Sequence, residues 1–157
     1  MIQNKESLVY SLENSINNLE AVVKESVKMN TPQQREVYSS LGTALLWIGS
    51  CLDRLENIEY TDEEFKYVQA FKGAYNVQKH GADLVGFTGF ISGSSFPIRF
   101  PMRFGEGNYY FKELNEHIIK NKNQIIRYNE ILKDKDIIKS VQQIKAIILD
   151  KMKWNEI

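Results

Sequence analysis

The chain contains a single cysteine, Cys51, among its 157 residues. One cysteine cannot form an intramolecular disulfide, and a thiolate zinc cluster needs several. The residues around it, Trp47–Leu52, have the pattern of a helix flank, which favours inert packing over the role of a nucleophile. Neither disulfides nor a cysteine zinc site is therefore expected in this fold.

Long apolar runs are also missing. No uninterrupted stretch approaches the roughly 20 apolar residues that span a bilayer. The N-terminus Met1–Glu6 lacks the basic and then apolar layout of a secretion signal. We therefore predict a soluble, cytoplasmic protein with no membrane partner. The sequence also lacks a Gly-rich phosphate loop and a nucleophile elbow, which argues against nucleotide hydrolysis and acyl transfer.

The length and composition fit a single domain spanning residues 1–157, because the chain can bury one substantial core and is too short for two. Its formal charges balance but are unevenly distributed. Residues 1–64 hold five Lys or Arg against eleven Asp or Glu, a net of −6, so the remainder carries +6. This split allows two interpretations: a basic face for an anionic partner, or two halves that attract each other when folded.

Apolar residues recur every three or four positions over about residues 4–29, which predicts a long amphipathic first helix. Thr31, Pro32 and Gln34 predict the start of a second helix, with Thr31 as its N-cap. That helix is expected to run to about Leu55, and two glycines on one side of it predict close approach of a neighbouring helix. The core positions predicted for the two helices are Leu8, Leu12, Ile16, Leu19, Val23, Val27, Val37, Leu41, Ala44, Leu45, Ile48, Leu52 and Leu55.

A second capping box, Thr61–Glu64, predicts the start of helix three, which is expected to end at Gly81. Residues 82–107 then form a Gly/Pro/Phe-rich insert. Within it, apolar residues of 96–104 alternate with Pro and Arg, which predicts an edge strand or a polyproline-like arm paired with 86–91. The insert's aromatic residues could seal the core or stack on bases. The predicted buried side of helix three is Phe65, Val68, Phe71 and Tyr75.

Helical periodicity returns after the insert and predicts a fourth helix over about 108–133 and a fifth over about 136–153. The sequence shows no internal repeat or low-complexity tract. The expected fold class is therefore all-α: an up-and-down bundle of about five helices with an extended insert between helices 3 and 4.

Three polar residues share one face near the end of helix three: Lys72, Asn76 and His80, here called the polar stripe. At about 100° per residue they lie within roughly 80° of one another. Phe71 and Tyr75 lie beside them toward the core, so the stripe should border the interior. A histidine, whose ordinary pKa is near neutrality, is a candidate acid/base or RNA-contacting group. The structural alternative is a histidine favoured by the C-terminal end of its helix and an asparagine bonded to a loop.

The end of this helix resembles the signature helix of HEPN domains, whose motif is Arg-Asn, any three residues and His. Asn76 and His80 match that motif at the right spacing. Tyr75 stands where the motif has arginine, and Lys72 is the nearest upstream cation. The Asn-x-x-Lys-His form, which includes Lys79, also looks like a variant in bacterial HEPN-like proteins where a Gly- and Phe-Pro-rich segment follows.

This resemblance implies a bundle of four or five helices, often a homodimer in which two motif helices face each other across a cleft. In catalytic members the cleft cuts RNA without a metal: the 2′-hydroxyl attacks the adjacent phosphate, His assists proton transfer, Arg stabilises the phosphorane and Asn positions the pair. Carried over to this chain, His80 would be the acid/base and Asn76 the orienting group. Lys72, Tyr75 and Lys79 would contact substrate, with Lys72 neutralising phosphate as a point charge.

Two functions follow as hypotheses. One is a HEPN-like ribonuclease in an abortive-infection or toxin–antitoxin setting, acting as a homodimer. The other is a catalytically silent module of the same fold that holds RNA or a partner protein. A generic helical scaffold without a site is the third possibility. No cofactor or metal is expected, since Glu113 and His117, four residues apart, supply only two ligands and a solvated helix face explains them better.

Overall fold

The structure is a computed structural model that describes residues 4–90, 107–115 and 120–154. Five helices occupy most of these residues, and a small antiparallel sheet lies between the third and fourth helices. The predicted class, a mostly helical bundle interrupted after helix three, is therefore confirmed. The elements are α1 (Lys5–Met29), α2 (Gln34–Arg54), α3 (Asp62–Lys79), β1 (Val85–Thr88), β2 (Asn108–Phe111), α4 (Lys122–Ile131) and α5 (Ile137–Trp154).

The predicted apolar stripes of the first two helices form much of the core. α1 packs mainly on α2, and α5 lies against α1, α2 and α3. Every predicted core residue of α2 is fully buried, whereas Val23 and Val27 of α1 are only partly buried. Within the described part of the chain, none of the helices combines the length and apolarity needed to cross a membrane.

The predicted N-cap of α2 is wrong. The helix begins at Gln34, and the Thr31 hydroxyl donates to the carbonyl of Met29 at 3.2 Å instead of capping. Tyr109 of β2 takes the place of the cap, since its hydroxyl accepts a hydrogen bond from the N–H of Gln33, just before the helix, at 2.8 Å. That hydroxyl also bonds to Ser26 Oγ, whose own proton goes to the carbonyl of Thr31 at 2.6 Å. A distant side chain thus replaces the local cap that the sequence indicates.

The boundaries of α3 agree with the capping signals. The Thr61 side chain accepts a hydrogen bond from the Glu64 N–H at 3.2 Å, as the capping box predicts. At the other end Gly81 has φ +89°, a left-handed conformation that costs glycine little. Phe65, predicted to be buried, is 47% exposed. It lies at the rim of a groove between α3 and α4, where Ile126 is exposed as well.

The predicted fourth helix over 108–133 is wrong in its first half. Residues 108–111 form β2, and α4 begins only at Lys122. The buried residues here are Tyr109 and Phe111, two apart, which is the period of a strand.

Strand β1 pairs with β2, in the register Val85 to Phe111 and Thr88 to Asn108. Residues 85–88 thus pair with residues after the insert, a pairing that the sequence did not predict. Residues 96–104 lie outside the described residues. Phe111 packs the sheet against the core. The centroid of its ring lies 6.1 Å from that of Phe71 in α3 and 6.0 Å from that of Tyr128 in α4, and both pairs are edge to face.

Two ion pairs join the acidic part of the chain, residues 1–64, to the basic remainder. Lys151 Nζ lies 2.8 Å from Glu64 Oε2, and Lys72 Nζ lies 4.0 Å from Glu56 Oε1. In each pair the acid comes from residues 1–64 and the lysine from the remainder. These pairs fit the interpretation that the two halves attract each other in the fold.

Candidate functional site

Helix α3, which carries the polar stripe, is held between α2 and α4 by close contacts at glycines. A Cβ on Gly49 of α2 would come within 3.1 Å of the Tyr75 ring. A Cβ on Gly73 of α3 would come within 2.7 Å of the carbonyl oxygen of Gln124 in α4. The predicted close approach at the α2 glycines is therefore confirmed. These contacts fix α3 and the direction in which its polar side chains point.

His80 is the C-cap residue of α3 and is exposed to solvent. Its backbone N–H bonds to the carbonyls of Asn76 at 3.3 Å and Val77 at 3.2 Å. Its ring has no hydrogen bond or ion pair to any of the described residues. The imidazole thus lies at the C-terminal end of its helix, as the structural alternative expects. The same position leaves it open to a ligand.

Asn76 lies one turn before His80 and is partly buried. Its Nδ2 donates to Oε1 of Gln124 at 2.6 Å. Gln124 stands in the first turn of α4, where its N–H is capped by the side chain of Asn121 at 3.3 Å. The structural alternative expected this asparagine to bond to a loop, but its partner belongs to a helix. The bond uses one N–H of the Asn76 amide and leaves its second N–H and its Oδ1 for a ligand.

The predicted cations lie at different distances from the histidine. Lys72 is two turns before His80, roughly 12 Å along the helix axis, and its ammonium faces Glu56. Lys79 directly precedes His80 and is exposed, with its Nζ 6.0 Å from the centroid of the Tyr75 ring. Asn76, Lys79 and His80 are therefore grouped at the end of α3, while Lys72 stands apart. Lys79, not Lys72, is the nearer of the two cations along the helix.

A cavity of about 270 Å³ lies between α2 and α3, next to this group. We call it the tyrosine cavity. Tyr75 and Lys79 belong to its wall and also border the polar stripe. Sequence reasoning named those two and missed the other lining residues and Gln124, since no spacing rule links α3 to α2 or α4. The cavity is lined by Tyr38, Gly42, Leu45, Leu46, Tyr75, Gln78 and Lys79.

Other reactive or metal-binding candidates carry no site in the described structure. Burial raises the pKa of the Cys51 thiol to about 12, so the thiol is neutral and unreactive, as its setting predicted. Among the described residues no three His, Cys, Asp or Glu side chains are grouped as metal ligands. Glu113 is exposed, and His117 lies outside the described residues.

Comparison of the chain with protein-family models, with curated proteins and with solved structures found no match. The resemblance to HEPN domains therefore stays a prediction from the sequence.

Proposed function

We propose that this chain is a HEPN-like module that binds single-stranded RNA at the end of α3 and cleaves it without a metal. The observation that carries the proposal is the exposed His80 at the end of α3, which follows the exposed Lys79 in sequence and lies one turn after Asn76, whose amide is held by Gln124. An imidazole can take and return protons near neutral pH, and an ammonium attracts the phosphate.

In the proposed reaction the 2′-hydroxyl oxygen forms a bond to the neighbouring phosphorus, and the bond from phosphorus to the 5′-oxygen breaks. His80 takes the proton of the 2′-hydroxyl and returns it to the leaving 5′-oxygen, so that the proton balance closes. The products are a 2′,3′-cyclic phosphate and a 5′-hydroxyl. Asn76 orients the reacting groups, and Lys79 neutralises part of the charge on the phosphorane. A homodimer in the cytoplasm, in a phage-defence or toxin–antitoxin setting, belongs to the same proposal.

A second candidate, a non-catalytic module that holds RNA or a partner protein, is favoured by a different observation. Tyr75 takes the place of the motif arginine, and its ring packs on Gly49 of α2. No bidentate cation then stands at the position that stabilises a phosphorane in catalytic members, and a lysine does this less well. In this case the polar stripe contacts RNA but breaks no bond.

The two candidates separate in one assay. The purified protein is incubated with a labelled mixed-sequence RNA in EDTA, beside His80→Ala and, as a matched control, His117→Ala at the chain's other histidine. General acid–base catalysis contributes roughly 10²- to 10⁴-fold. The ribonuclease proposal predicts a loss of that order in His80→Ala and activity close to wild type in His117→Ala. Intact RNA in every lane, with binding retained, supports the non-catalytic module and overturns cleavage.

A further inference from the structure

The tyrosine cavity adjoins the proposed RNA site and has the features of a subsite for one flat ring. Its volume of about 270 Å³ is just below the roughly 300 Å³ at which pockets for drug-sized ligands begin. It is therefore large enough for the ring system of one base. We propose that it receives the base of a nucleotide whose phosphate lies at Lys79 and His80. This proposal rests on the RNA-binding function proposed above.

The walls of the cavity suit a base. Tyr38 of α2 and Tyr75 of α3 supply two aromatic rings, and the Tyr75 ring is held in place against Gly49. Leu46 adds an apolar wall and is 45% exposed, so the cavity opens to solvent on that side. Aromatic side chains bind bases of any sequence because every base presents a π-face.

Gln78 adds an amide group at the end of a flexible side chain. Its Nε2 donates to the carbonyl of Tyr38 at 3.3 Å, and since that carbonyl can only accept, the amide oxygen must point elsewhere. This oxygen is buried and has no hydrogen-bond partner among the described residues. A buried acceptor without a partner is costly, so a turn of the flexible Gln78 side-chain end that brings this oxygen to an N–H donor of a ligand in the cavity would be favoured. All four RNA bases carry such a donor on their pairing edge.

The position of the cavity beside Lys79 favours a phosphate at the end of α3. Lys79 lines the cavity and directly precedes His80, so a base in the cavity has its sugar and phosphate at the end of α3. The subsite would thus present the backbone of a bound nucleotide to the imidazole.

The test compares two synthetic probes of equal length: a single-stranded mixed-sequence RNA and a ribose-phosphate oligomer without bases. Binding to the full chain is measured by fluorescence anisotropy in EDTA at one fixed salt concentration. The variant is Tyr38→Leu, which removes the ring but keeps the backbone carbonyl that holds Gln78. The matched control is Tyr10→Leu, at an exposed tyrosine of α1 outside the tyrosine cavity.

Loss of one base–aromatic contact should weaken binding of the RNA by roughly five- to hundred-fold. The same variant should leave binding of the base-free oligomer unchanged, and Tyr10→Leu should change neither. If Tyr38→Leu does not fold, Leu46→Ala serves in its place, with an expected loss of roughly two- to five-fold for the RNA alone.

The outcomes distinguish the two proposals. If the wild type binds both probes equally and the cavity variants have no effect, the base subsite is wrong while RNA binding at the stripe stands. A wild type that binds neither probe contradicts the proposed function and the subsite with it.

Discussion

The hydroxyl of Tyr109 is expected to hold the α1–α2 connection together. It receives the N–H of Gln33 and donates to Ser26, at the junction where the sequence predicted a local cap. Replacing Tyr109 by Phe keeps the buried ring and removes only this oxygen. The Gln33 N–H then loses its partner. We expect the free energy of unfolding to fall by about 1–2 kcal/mol, toward the lower end for a buried donor because water can partly replace the hydroxyl.

For a protein of this size, a loss of 1 kcal/mol lowers the melting temperature by roughly 2–4 °C. Tyr109→Phe should therefore melt roughly 2–8 °C below the wild type, and urea unfolding followed by circular dichroism gives the free energy. The control is Tyr10→Phe in α1, whose exposed hydroxyl should matter by less than about 0.5 kcal/mol. Repeating Tyr109→Phe in a Ser26→Ala background measures the coupling energy between the two hydroxyls. A Tyr109→Phe variant no less stable than Tyr10→Phe would show that the Tyr109 hydroxyl does not stabilise this junction.

Two further predictions concern packing and pH. Gly73→Ala should lower the free energy of unfolding by about 1–3 kcal/mol, because the new Cβ would meet the backbone of Gln124. Gly42→Ala would meet only the movable end of the Gln78 side chain and should leave the free energy of unfolding near its wild-type value. Urea unfolding measures both, and equal effects of the two substitutions would contradict this prediction. The raised pKa of the Cys51 thiol means that its contribution to stability is full below its unfolded pKa of roughly 8.5 and is lost as the pH rises toward 12. Between pH 8 and pH 10 the free energy of unfolding should fall by up to about 2 kcal/mol more in the wild type than in Cys51→Ala. Identical falls in the two proteins would refute the raised pKa of the Cys51 thiol.

The sequence predicts the helices well where one residue pattern determines both the element and its buried face. The α2 stripe is an example, since its core residues recur at helical spacing along the helix and all are buried. Thr61 likewise caps α3 through a neighbour three residues away. Each of these features depends on local spacing, which a sequence displays directly.

The errors arise where a distant partner decides the local structure. Residues 108–111 form a strand because β1 pairs with them and Phe111 enters the core beside Phe71. Thr31 does not cap α2 because the Tyr109 hydroxyl is already bonded to Gln33. Neither partner can be identified from a helical period or from a capping box.

The candidate site divides in the same way. The four-residue spacing places Asn76 and His80 on one face of α3, and the sequence contains that information. The bond from Asn76 to Gln124 and the tyrosine cavity depend on how α4 and α2 pack against α3. These contacts are tertiary, so the sequence could name the stripe but not its surroundings.

The central claim is that His80 moves protons in the cleavage of RNA, and the ends of the cleavage products test it most directly. Single-stranded RNA is incubated with the wild-type protein in EDTA, and the fragments are analysed by mass spectrometry. The account predicts 2′,3′-cyclic phosphate and 5′-hydroxyl ends that His80→Ala no longer generates. Fragments with 3′-hydroxyl and 5′-phosphate ends, or products that persist unchanged in His80→Ala, would contradict it.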